Sequence, residues 1–446
     1  MTAADSSEPR LPPRSFAILF SVSVIVAIGN TGMQSVLPAI GRQIGIRDYL
    51  VAAIFSLSAL LWAIMSPIWA RQSDLRGRKP LIMLGLAGFM LSMTLCGLVV
   101  SAGLRHWATP LVIFFMFLFA RATFGLIGSA SNPATQAYVA ERTSRAERTQ
   151  QMAGLAGAFG LGTIVGPAIA PLFVLPALVV GGVMLFPAVT LAGPMFAFAL
   201  IAGAMLFVVY RFLPESEGPK RDGRPFSQAG RSSASLWKDP RLVPFLIYGF
   251  LVATCQTAQG QTLGFMIIDK LHVTPVQAQG FTAVAMMAGA VAGLLAQWGL
   301  IRMFQMSPRT LMIWGVALAA LGNLMTAFAP NYWTVVIAYA LSSLGYGFAR
   351  PGFTAGASLT VQMSEQAQAA GAIAMVNGLN VILAPLFVML YEALHPAPFL
   401  LNAAMLVGMF AYAMTNTILR KAGEAGNADE EATTAALERV DEGGVG

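Results

Sequence analysis

The chain has 446 residues, of which 57% are hydrophobic and 11% charged, with a formal net charge of +7. A soluble domain carries roughly a quarter charged residues, so this composition excludes one. Apolar runs of about twenty residues, the length a ~30 Å hydrocarbon core asks of a helix, separate the charges; they are continuous rather than alternating, which points to helices and not barrel strands.

In chain order, the first fifteen residues are polar and proline-rich, with no pattern of a cleavable secretory signal, and read as a cytoplasmic segment over 1–15. Spans are predicted near 16–40, 50–72, 80–103, 108–138, 150–176 and 188–212, an N-terminal six-helix half over 16–213. The charged stretch 214–240, with several Gly and Ser, reads as a flexible cytoplasmic linker. Spans near 242–268, 275–301, 309–329, 332–356, 367–392 and 397–419 make a C-terminal half over 241–420. An acidic tail follows over 421–446, with Glu430, Glu431, Glu438, Asp441 and Glu442. The expected fold is an all-α membrane protein of twelve transmembrane helices in two pseudo-symmetric halves.

Lys and Arg separate the two faces. Arg10, Arg14, Arg71, Arg76, Arg78, Lys79, Arg142, Arg145, Arg148, Arg302, Arg309, Arg420 and Lys421 fall on one side, together with the linker cations. Arg42, Arg47, Arg105 and Lys270 fall on the other. Positive residues stay inside, so both termini are expected in the cytoplasm and the protein in a bacterial inner membrane. The basic charge thus serves topology and implies no nucleic-acid partner. Cys96 and Cys255 fall inside spans of opposite halves, which disfavours a disulfide or a metal site. His106, His272 and His395 sit at outer span ends with no nucleophile beside them, so no enzyme, metal or cofactor is expected. The expected partners are a small-molecule substrate and the bilayer, with the chain acting as a monomer.

The halves share spacings. Asn132-Pro133 stands 34 residues before Gly166-Pro167, and Arg350-Pro351 stands the same 34 before Ala384-Pro385. Asn30-Thr31 of the first span corresponds to Gln256-Thr257 of the seventh. Such offsets are the trace of a parallel duplication around one midplane cavity.

Between the second and third spans runs Ala70-Arg71-Gln72-Ser73-Asp74-Leu75-Arg76-Gly77-Arg78-Lys79-Pro80-Leu81. Gly77 permits a turn with positive φ, and Asp74 can cap a helix or pair with an arginine. With Arg78 and Lys79 they form an expected gating loop that holds the inner side closed. The order resembles the signature loop of the major facilitator superfamily, G-x-x-x-D-R-x-G-R-K, with Ala70 and Leu75 as departures. Gly162-x-x-x-Gly166-Pro167 in the fifth span resembles the antiporter motif of the drug/proton antiporter branch, and the Arg121 segment resembles that superfamily's R-x-x-Q-G motif, with Phe124 in place of Gln. The stretch from Tyr138 to Arg148 is similar to the corresponding loop of tetracycline and multidrug antiporters. The resemblance implies alternating access and proton exchange.

Independently, Arg121 lies about 17 Å along its span at ~1.5 Å per residue, mid-depth, where a cation needs a cavity or a partner. Neutral polar residues at helical spacing on other spans supply a candidate cavity: Asn30, Gln34, Asn132, Gln256, Gln259, Tyr346, Asn377 and Asn380. Met and Phe edge them, which suits an amphipathic organic molecule. Every acid lies in a loop, a tail or near a span end, so no mid-membrane carboxylate offers itself as proton carrier. Two functions follow: a drug-exporting secondary transporter exchanging its cargo for protons, or a facilitator or exchanger of an organic anion or metabolite that uses Arg121 as its charge site. A receptor or scaffold is the third and least favoured.

Overall fold

A computed structural model describes residues 11–143, 145–174, 178–180, 183–186, 191–215, 239–361 and 366–421; the side chains of Asp74 and Asn377 lie outside that description, as do most of the linker and all but the first residue of the acidic tail. The described helices group into twelve rods that overlap the twelve predicted spans. The N-terminal half holds α1 (Pro13–Ile44), α2 (Asp48–Arg76) and α3 (Arg78–Leu104). Then come α4 (Pro110–Leu126, continued through a 3-10 turn, Gly128–Ala130, into Ser131–Glu141), α5 (Arg145–Ile169, closed by a 3-10 turn, Ala170–Phe173) and α6 (Gly193–Phe212). The C-terminal half holds α7 (Val243–Leu271), α8 (Pro275–Leu294, a π turn Leu295–Leu300, then Ile301–Phe304) and α9 (Pro308–Ala327). It ends with α10 (Tyr332–Thr360), α11 (Gln366–Leu379, a 3-10 turn Asn380–Leu383, then Ala384–Ala393) and α12 (Ala397–Thr415). Between α5 and α6 the backbone makes two short antiparallel strands, β1 (Leu178–Val180) and β2 (Val183–Phe186), an exception to the helices that dominate the described residues.

Local chemistry sets the rod starts. Proline stands in the first turn of α1, α4, α6, α7, α8, α9 and α12, where its missing N–H costs no helical bond. Thr274 and Gln277 cap α8 reciprocally, and Ser307 and Asn331 cap α9 and α10, each substitution of such a cap costing about 1 kcal/mol.

Eight helices are long and apolar enough to cross a membrane by length and composition alone. The rods that fall short of that test are α5, α7, α10 and α11, with α5 and α11 contributing shorter apolar stretches. Those four carry the closely spaced glycines Gly162 and Gly166 or many of the amides and hydroxyls, which find partners on neighbouring rods. Lipid-facing surfaces show the reverse pattern: Leu200, Phe119, Phe207 and Ile337 are each more than half exposed.

The pairing of rods repeats. In the first half α1 packs on α5, α2 and α3 on α4, and α3 on α6. In the second, α7 packs on α11, α8 and α9 on α10, and α9 on α12. Between the halves α2 packs on α11 and α5 on α8, the same pairing read from either half. 3-10 turns lie near both later prolines of the 34-residue spacing, after Pro167 in α5 and before Pro385 in α11.

Candidate functional site

Arg121 sits on α4 with 3% of its surface exposed. Its Nη2 donates to Asn30 Oδ1 of α1. The guanidinium carbon stands 4.4 Å over the Phe124 ring and 5.6 Å over that of Phe55, a cation–π sandwich that partly replaces hydration. Its Nε and Nη1 have no hydrogen-bond partner among the described residues. Asn30 is a neutral partner for the guanidinium, and two of its donors remain for a ligand or water. The local backbone is locked, since Ser92 Oγ donates to Ala120 O at 2.8 Å and Ser58 Oγ to Arg121 O at 3.2 Å.

One turn along α1 from Asn30, Gln34 reaches across the seam between the halves. A Cβ placed on Gly260 of α7 would lie 3.9 Å from Gln34 Nε2 and 3.9 Å from Tyr339 Oη of α10. Asn30, Gln34 and Gln256 are partly buried. Asn132 and Gln136 are exposed further along α4 and joined to each other at 3.3 Å.

Other expected cavity residues fall elsewhere. Gln259 and Tyr346 are buried in a network within the C-terminal half. Gln259 Nε2 donates to Ser342 Oγ at 3.0 Å, and Asn323 Nδ2 donates to Tyr346 Oη at 2.9 Å. Asn402 Nδ2 donates to Asn323 Oδ1 and to Cys255 O, both at 3.2 Å. The network ties α7, α9, α10 and α12 and faces no open space. Asn380 accepts from Thr257 Oγ1 at 2.7 Å, fixing the 3-10 turn of α11 to α7. Sequence reasoning did not single out Asn323 and Asn402; an isolated amide inside an otherwise apolar span is the signal that finds them. An apolar groove of about 510 Å³ between α9 and α12, lined by Ala317, Leu321, Leu324, Leu400 and Val407, lies away from Arg121 on an exposed flank.

Gly162 and Gly166 press α5 on α1. A Cβ at Gly166 would lie 2.5 Å from Ile28 O and 2.8 Å from Gly32 N, and one at Gly162 would lie 2.8 Å from Val24 O. Thr31 Oγ1 donates to Gly162 O at 3.1 Å across the same contact. Pro167, next to this contact, is buried. Gly162 and Gly166 thus set α5 against α1 backbone to backbone within one half.

In the loop between α2 and α3 Gly77 has φ 92° and ψ 160°, a conformation essentially reserved to glycine. Arg78 Nε donates to Glu141 Oε1 at 2.8 Å and its Nη1 to Ser73 Oγ at 3.0 Å, tying the loop to the end of α4. Lys79 Nζ lies 5.9 Å from the Tyr210 ring. The expected partners of Asp74 lie outside the described side chains. Gly77→Leu is expected to strain the loop by about 1–3 kcal/mol and slow transport severalfold while the protein still inserts. Turnover in vesicles beside surface expression checks this, and normal turnover would remove the loop from the gating cycle.

Comparison with known proteins is consistent across the chain. The sequence pattern of the Major Facilitator Superfamily matches residues 19–385. The chain is 25% identical to the class C tetracycline resistance protein of Escherichia coli over 385 residues, 83% of this chain and 88% of that one. It is 34% identical to multidrug resistance protein 2 of Bacillus subtilis over 152 residues, 34% of this chain and 33% of that one. Among solved structures, a point mutant of the peptide transporter POT superposes with a TM-score of 0.70 at 12% identity, covering 94% of this chain and 98% of that one. A bacterial homologue of the human lysosomal transporter Spinster, inward-facing and unoccupied, gives 0.69 at 14% identity over 92% and 98% of the two chains.

Proposed function

The chain belongs to the Major Facilitator Superfamily, and from that premise we propose that it exports small amphipathic, drug-like organic molecules by alternating access, in exchange for protons. It is a multi-pass membrane transporter of small molecules and not an enzyme. The observation that carries drug export is the likeness to tetracycline resistance proteins over 83% of the chain. The half-buried amides of Asn30, Gln34 and Gln256, edged by Phe55 and Tyr339, supply a seam of mixed polarity suited to such cargo. The distribution of Lys and Arg supports cytoplasmic termini in a bacterial inner membrane, with one chain as the working unit and the proton as its only co-ligand. The end that carries the α1–α2 and α7–α8 connections is then the outer one.

Exchange of an organic anion is the second reading, favoured by the two guanidinium nitrogens of Arg121 that lack acceptors among the described residues. Proteoliposomes with an imposed pH gradient and a panel of cationic, neutral and anionic amphiphiles separate the two. The first reading expects gradient-dependent movement of cationic or neutral compounds. Movement of anions alone, indifferent to the gradient, gives the second, and no movement of any compound overturns both.

A further inference from the structure

In the sequence Arg42, Asp48 and Asp269 have the look of ordinary loop charges at the outer end. In the structure they form one cluster that crosses between the halves. Arg42, near the end of α1, donates through Nη2 to Asp269 Oδ2 at 2.9 Å and through Nη1 to Asp269 Oδ1, a two-pronged pair with α7. The same guanidinium donates to Asp48 at the start of α2, Nη2 to Oδ2 at 2.6 Å and Nε to Oδ1 at 3.1 Å. Tyr391 of α11 donates to Asp269 Oδ2 at 2.7 Å, and His395 Nε2 lies 3.8 Å from that oxygen. Nearby, the Tyr49 N–H donates to Glu392 Oε1 at 3.2 Å and Ser56 Oγ to Val381 O at 2.7 Å, further bonds between the halves. Lys270 and His272 follow Asp269 on its own chain.

Two features distinguish this cluster from a fixed structural bridge. One guanidinium serves two carboxylates, so the three groups carry a net negative charge. Each half also keeps a partner if they separate: Arg42 retains Asp48, six residues away, and Asp269 retains Tyr391. Neither state strands a buried charge, which is what makes an ion pair reversible rather than a lock.

We propose that Arg42 and Asp269 form an acid-sensitive outer latch, closed when Asp269 is ionised and released when a proton from the outer solution neutralises it. The proposal rests on the alternating-access reading above. Its sign follows from linkage: the closed state needs the Asp269 charge that Arg42 binds, so acid favours the open outer side. A proton driving antiport must instead favour closure of the outer side once bound, so the latch sets the resting conformation and is not the coupling site.

Spin labels at the exposed positions Gln43→Cys and Val276→Cys, on opposite halves of the outer end, report the gap by distance distributions in nanodiscs; Cys96 and Cys255 are buried and stay unlabelled. Against the opposing effect of burial, the bonds from Arg42 and Tyr391 hold the Asp269 carboxyl below its ordinary value, so taking the unsubstituted background from about pH 6 to about pH 3 is expected to raise the long-distance population severalfold. Asp269→Asn and Arg42→Gln, which delete the same pair from opposite halves, should each give the long distances already at the higher pH and lose the acid response, and the double variant should add nothing. His395→Gln should keep the response. An unchanged distribution on acidification, or a full response in Asp269→Asn, overturns the latch. Movement of the same labels on adding a transported drug, measured beside it, reads the alternating-access proposal separately.

Discussion

Replacing Arg121 by alanine is expected to abolish accumulation of cargo against a gradient while binding and one-for-one exchange of cargo persist. The protein should insert at least as well as before, because a cation at mid-depth costs at least about 2.5 kcal/mol on insertion scales and its removal returns that cost. Asn30 loses one hydrogen bond, a loss of about 1 kcal/mol, and it is only partly buried, so water can replace the lost donor. The change therefore falls on charge handling and not on folding. Arg121→Lys should rescue only in part, since an ammonium keeps the charge but cannot stack on Phe124 while reaching Asn30 with a planar fork. Equilibrium binding and gradient-driven uptake on the same purified variant check the prediction. Loss of binding of an anion would instead establish the exchanger reading, and full gradient-driven activity would return Arg121 to a packing role.

Gly166→Leu should be nearly as damaging by a different route. The added Cβ alone meets the backbone of α1, at Ile28 O and Gly32 N, and backbone cannot step aside as a flexible side chain can. Overpacking of this kind costs about 1–3 kcal/mol, and the rods relieve it by parting. We expect transport to fall by about tenfold or more, the equivalent of ~1.4 kcal/mol, with cargo affinity little changed and a proton leak appearing in vesicles. Gly408→Leu is the control, because nothing lies within 4 Å of a Cβ there, and it should be silent. Equal activity of both variants would mean that the contact between α5 and α1 tolerates slack.

Much of this arrangement is legible in the sequence, for identifiable reasons. Rod positions follow from apolar run length because lipid enforces it, and the positive φ of Gly77 follows from a turn between charged neighbours. The burial of Arg121 against a neutral partner follows from the lack of any mid-span carboxylate. The rest depends on contacts between distant segments. Arg42 and Asp269 stand 227 residues apart, and no local pattern announces their meeting. Gln259 and Tyr346 lie at spacings that suit a cavity wall as well as a bundle interior. Which of these holds depends on Asn323 and Asn402, on rods whose own hydropathy marks them as plain spans. The strands β1 and β2 lie in a connection whose composition resembles the spans it joins.

The buried amide network also constrains how the polypeptide is made. Gln259, Asn323 and Tyr346 enter the bilayer as α7, α9 and α10 leave the ribosome, while Asn402, which closes the circuit from 79 residues beyond Asn323, arrives only with the final rod. Until then Asn323 Oδ1 lacks the Asn402 amide that it accepts from in the finished protein, and Gln259 is joined to an incomplete set. Unmet polar groups in hydrocarbon are expensive, so the C-terminal half reaches its final packing late and all at once. A nascent chain stopped before α12 presents a membrane-embedded polar face, the kind of feature that intramembrane quality control recognises.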